Sequence, residues 1–150
     1  MKTTISAMLL VAVAGCATSP QTTAMAPIDH RAEVRETAAA DIKVRFVRTF
    51  DGIITCEVIN LGAEPLLVDR DAIVLVTPTG ERRNRLPGGL QTTYQVPPSG
   101  SHVVNVRYDL SGVLDGDVAE LDFGRAVLRA GQPVAVPPLA IAPKQQTTRY

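Results

Sequence analysis

From Asp41 onward the chain alternates. Ile42, Val44 and Phe46 are apolar and Lys43 and Arg45 between them are charged, the period-two pattern of a strand with one buried face. After a turn at Asp51-Gly52, Ile54, Cys56 and Val58 alternate with Thr55 and Glu57. Val104, Val106, Tyr108 and Leu110 alternate with Asn105, Arg107 and Asp109, the clearest strand in the chain. Shorter strands are expected at 66–68, 72–76, 92–96, 120–123, 126–129 and 133–141, and the uniformly apolar 72–76 reads as a central strand covered on both faces. Pro78-Thr79-Gly80, the segment "PPSGS" and Gly131 supply turns between them. About eight short strands with turn signals every 8 to 12 residues or so predict an all-β chain, folded as an antiparallel sandwich over residues 41–141. Pro133, Pro137 and Pro138 cannot all donate to a ladder, which places the last strand at an edge.

The pattern is different before Asp41 and after Ile141. Residues 17–28, "ATSPQTTAMAPI", are small, polar and broken by proline, as a linker is. Residues 29–40, "DHRAEVRETAAA", favour helix by propensity but carry no sustained apolar stripe. The segment 16–40 therefore reads as a tether, with room for a short helix or strand near its end. Random-coil scaling gives it a span of roughly 25 to 30 Å. The tail 142–150 reads as disordered.

The first residues are a leader. Lys2 provides a positive start, and Ile5 to Val13 form an apolar stretch well short of the roughly 20 residues that a membrane-spanning helix needs. A charged start, a short apolar core and small residues at the break are the marks of a secretory signal over residues 1–15. The stretch ends Val13-Ala14-Gly15-Cys16, which resembles the lipobox of bacterial lipoproteins. That resemblance implies cleavage before Cys16, a diacylglyceryl thioether on its sulfur and an acylated (palmitate-type) amino terminus. A cysteine suits this role because its thiolate is a good nucleophile, and several chains anchor firmly where one binds only marginally. Ala17 follows the cysteine where an aspartate would signal inner-membrane retention. By the same resemblance the protein belongs at the outer membrane, with its domain facing the periplasm. The segments "CEVINLGAEPLLV" and "YQVPPSGSHVVNVRYDL" resemble the small immunoglobulin-like domains of bacterial envelope lipoproteins, although the cysteine pair and core tryptophan of antibody domains are missing.

Composition narrows the partners. Lysine plus arginine equals aspartate plus glutamate at 15 each, and loss of the leader removes only Lys2, which argues against nucleic acid as a partner. Tryptophan is absent and aromatics make up 4%, too few for a stacking platform. With Cys16 lipidated, Cys56 has no partner in the chain and reads as a small buried hydrophobe.

Four clusters carry candidate chemistry. Ser99, Ser101 and His102 sit together, which raises an envelope hydrolase using Ser101 and His102, but no G-x-S-x-G elbow is present and His30, the other histidine, falls in the tether. Asp115, Asp117, Glu120 and Asp122 offer oxygens to calcium for an adhesion module. Counted as an EF-hand from Asp115, however, position 6 is Glu120 rather than glycine and position 12 is Ala126 rather than glutamate. No zinc-type ligand set is found, and no cofactor is implied. Arg82, Arg83 and Arg85 in "ERRNRLPGG" would clamp a phosphate or carboxylate, unless they simply protect a charged hairpin edge. The reading that follows is a non-enzymatic, membrane-anchored lipoprotein. It binds or scaffolds an envelope protein partner, with Cys16 as the lipidation site and the three arginines as binding residues.

Overall fold

The computed structural model describes residues 35–144. Cys16 and the leader, most of the tether and the last six residues lie outside them. In chain order the strands are β1 (Glu36–Ala39), β2 (Ile42–Phe50), β3 (Ile53–Asn60), β4 (Leu66–Asp69), β5 (Val74–Val76), β6 (Arg82–Arg83), β7 (Thr93–Val96), β8 (Ser101–Arg107), β9 (Ala119–Asp122), β10 (Val127–Arg129), β11 (Gln132–Pro133) and β12 (Leu139–Ile141). All pairings are antiparallel. They form three sheets, with strand orders β1-β2-β3-β8, β11-β10-β4-β7 and β12-β9-β5-β6. The first and third carry the strand order of an immunoglobulin-like sandwich, in which a leading hairpin is joined by a later strand and faces a sheet built from the remaining ones. The second sheet is assembled from the connections between those strands.

The period-two segments largely fold as their pattern dictates, except that β8 starts at Ser101 and stops at Arg107, so Tyr108 and Leu110 are buried beyond its end. Ile42, Val44 and Phe46 of β2 point inward with Ile54, Cys56 and Val58 of β3 and Val104 and Val106 of β8. Cross-strand pairing aligns them: Phe46 faces Cys56, which faces Val104. Leu75, Leu121 and Leu139 form a matching row across the third sheet. These residues join Tyr108, Phe123, Leu66 and Val68 in one core, and each large side chain fully buried there contributes about 1.5–3 kcal/mol. At Asp51-Gly52 both φ angles are positive (48° and 73°), the two-residue turn whose twist matches a hairpin. A bulge between Phe46 and Arg48 puts an extra residue, Val47, in β2 and exposes it. Beyond the bulge, Phe50 pairs with Ile53 at the hairpin end and is 75% exposed.

The architecture differs from the eight-strand expectation in its details. Glu36–Ala39, within the segment read as tether, is a strand on the edge of the first sheet. Arg82 and Arg83 form a two-residue strand on the edge of the third. The apolar run 72–76 yields only Val74–Val76, because Asp69 accepts from the Asp71 N–H and sets a 3-10 turn over Arg70–Ala72. The last predicted strand is split: β11 edges the second sheet and β12 the third, while Pro137 and Pro138 between them belong to neither. A proline lacks the N–H that would have carried the ladder through.

Candidate functional site

The three arginines singled out in the sequence do not converge. Arg82 reaches across the third sheet to Asp122, 2.7 Å away. Arg83 is pinned by the Asp109 and Ser111 carbonyls at 2.7 and 2.8 Å and by Glu81 at 2.7 Å. Arg85 turns the other way and pairs with Asp71. It also donates to the carbonyls of Leu86 and Gly88, at 3.1 and 2.9 Å. The hydrogen bond from Arg85 holds the Asp71 carboxyl below its ordinary value of 3.8, and the same contact raises Arg85.

Arg85 is instead joined by two residues distant in sequence. Arg70 sits at the start of the 3-10 turn after β4, its backbone N–H bonded to Thr92. Arg107 ends β8, opposite Ile53 of β3. Between them runs the loop Leu86–Gly89, fixed to the edge of β8 by the Leu86 N–H donating to the Arg107 carbonyl at 2.8 Å. Together with Ile53 and Asn105 these residues enclose a cavity of about 350 Å³ that is open to the surface. Three arginines and no acidic residue line it. The Gly88 carbonyl accepts from Arg85 and also from Arg70, at 2.9 and 3.1 Å. Gly89 has a φ of +81°, and a Cβ there would stand 2.8 Å from the Arg70 guanidinium. The "PGG" signal thus marks close approach of backbone to a charged side chain. Arg70 also contacts the Tyr94 hydroxyl at 3.4 Å, and Tyr94 stacks on His102 with ring centroids 4.7 Å apart.

The other sequence candidates are placed as follows. Ser101 and His102 are adjacent in β8 and face opposite sides. The Ser101 hydroxyl donates to Glu57 at 2.8 Å, while His102 packs on Tyr94. Ser99 lies in the preceding turn with a φ of 55°, and His30 lies outside the described residues. Asp117 accepts from the Leu114 N–H, and Asp122 serves Arg82 and the Gly124 N–H. Among the described residues no three of His, Cys, Asp and Glu converge. Cys56 is fully buried and unpaired, and burial pushes its thiol up to about 12.

Two members of the arginine cavity escaped the sequence. Arg107 reads as the solvent side of an alternating strand, and Arg70 belongs to no motif of the sequence.

No family model matches the chain, and no curated protein matches it. Among solved structures it is similar to the yjhA protein from Bacillus subtilis, at 10% identity and a TM-score of 0.45 over 61% of this chain and 79% of that one. It is also similar to the Northeast Structural Genomics Consortium target SoR45, at 11% identity and a TM-score of 0.41 over 73% of this chain and 87% of that one.

Proposed function

We propose that this chain is a lipid-anchored envelope protein, attached through Cys16 to the outer membrane and facing the periplasm. Its sandwich acts as a non-enzymatic module that binds or scaffolds another envelope component. The observation that carries the binding role is the cavity under Leu86–Gly89, where Arg70, Arg85 and Arg107 line one open recess. Fixed guanidinium groups are binding chemistry: they recognise oxygen anions with planar, charge-assisted hydrogen bonds. The lipobox supports the location, and a loop carried on a rigid sandwich is where such domains place recognition. Fold alone would not choose this role, since sandwiches serve many.

The test is crosslinking of the full-length lipidated protein in cells, followed by mass spectrometry, beside Cys16→Ser and Arg85→Ala variants. A specific envelope component captured by the parent, lost in Cys16→Ser and reduced in Arg85→Ala, is the expected outcome. No capture at any crosslinker length would refute the scaffold role.

A further inference from the structure

The geometry points to a phosphoryl group as the ligand of the arginine cavity. This rests on the binding role proposed above and names the chemistry that the site recognises. Arg85 and Arg107 each have a carboxylate outside the lining, Asp71 and Asp51 respectively. Arg70 pairs with none among the described residues. Its terminal nitrogens reach only a carbonyl and a phenol, and its Nε is buried without a hydrogen-bond partner. A buried donor left unpaired costs about 1–3 kcal/mol. The shared Gly88 carbonyl holds the Arg70 and Arg85 guanidinium groups side by side with only a neutral oxygen between them. An anion seated in the recess would balance the second of these, the two cations that share one neutral oxygen.

A phosphate monoester fits this lining better than a carboxylate does. It brings three terminal oxygens and up to two negative charges, matching three arginines of which one, Arg70, makes no direct ion pair among the described residues. Ile53, Leu86 and Pro87 supply an apolar wall for the carbon side of an ester. The volume suits a ligand of glycerol phosphate size, near the lower end of small-molecule sites. The phosphoryl group has two sources, a free phosphate monoester or the head group of an envelope lipid.

The experiment is calorimetric titration of the full-length lipidated protein in nonionic detergent with glycerol 3-phosphate, and with malonate as a charge-matched dicarboxylate. Saturable binding of glycerol 3-phosphate is expected, with malonate weaker. Arg70→Ala and Arg107→Ala are each expected to weaken it about tenfold or more, the scale of a lost charge-assisted bond. Arg70→Lys keeps the charge, loses the planar fork and is also expected to weaken binding. Arg82→Ala, whose side chain serves Asp122 in the third sheet, should bind like the parent. Thermal melting of each variant shows that it is folded. No binding of glycerol 3-phosphate, equal binding of malonate, or parent-like affinity in the Arg70→Ala/Arg107→Ala double variant would overturn the assignment. Adding phosphatidic acid to the micelles separates the sources. Displacement of glycerol 3-phosphate identifies a head group and its absence a free monoester, and both uphold phosphoryl recognition. Crosslinks retained without phosphate binding sink this ligand alone, whereas phosphate binding without crosslinks sinks the scaffold role alone.

Discussion

Asn60 holds together more of the structure than any other polar side chain in the core. It is fully buried at the end of β3, and its Nδ2 donates to the carbonyls of Glu64, Pro97 and Val96 at 2.7, 3.2 and 3.3 Å. Its Oδ1 accepts from the Gly62 N–H at 3.0 Å. The side chain therefore ties the first sheet to the turn beyond β7. Asn60→Ala removes these bonds, one of them to the buried Val96 carbonyl, and should destabilise the fold by about 1–3 kcal/mol. Asn60→Asp should cost no less, since it puts a carboxylate against carbonyl oxygens; urea unfolding measures both. Cys56 makes the opposite kind of contribution. Its thiol is out of reach of solvent and ionises only near 12, and the thiolate is the reactive form. Native protein at neutral pH should resist thiol reagents and label rapidly only in denaturant. Fast native labelling would show that this part of the core opens.

At the scale of elements, legibility followed the reach of the interactions. β2, β3 and β8 were readable because alternation is local and each buries one full face. β5 was misread in length, since Asp69 captures the Asp71 N–H two residues on and turns the chain before the apolar run takes hold. β11 and β12 were fused in the reading because the proline effect was counted but the second sheet that separates them was not. The cavity was the least legible feature. Its arginines lie at positions 70, 85 and 107, and only the packing of a loop on the edge of β8 unites them. The sequence did flag Arg85, so one corner of the site was visible. Two elements carry tests of their own. The Tyr108 hydroxyl, just past β8, donates to the buried Ile73 carbonyl before β5 at 2.7 Å. Tyr108→Phe should therefore lower stability by about 1–2 kcal/mol with the fold unchanged, measured by thermal melting. Gly89→Ala adds a Cβ at a positive φ and against Arg70, so it should cost about 1 kcal/mol. It should also move the Arg70 guanidinium, which a heteronuclear spectrum of its side-chain N–H groups would register.

The whole molecule has a built-in sensitivity to acid. The carboxyls of Asp41, Glu57, Asp71, Glu81, Asp109 and Asp122 all lie below their ordinary values. A hydrogen bond is the first cause in each: from Arg129, Ser101, Arg85, Arg83, the Ser111 backbone and Arg82 respectively. A depressed native value means that stability is fully present above the unfolded values, 3.8 for aspartate and 4.5 for glutamate. It is lost as pH falls through the lower native ones. The melting temperature should stay level down to about pH 5 and decline below it, gently because most of these pairs are exposed. A melting temperature that rises on acidification would contradict this assignment of partners. The edge position of β1 has a mechanical consequence. The chain enters at Arg35, whose carbonyl accepts from the Phe46 N–H, and β1 lies on the edge of the first sheet opposite to β8 and its cavity. A load on residue 35 with the β8 edge held would fall on the β1–β2 ladder, which pairs four residues where β2–β3 pairs eight and β3–β8 seven. Freed from that ladder, the four residues of β1 would span roughly 15 Å when extended. The entry strand is thus the least-paired link between residue 35 and the rest of the first sheet.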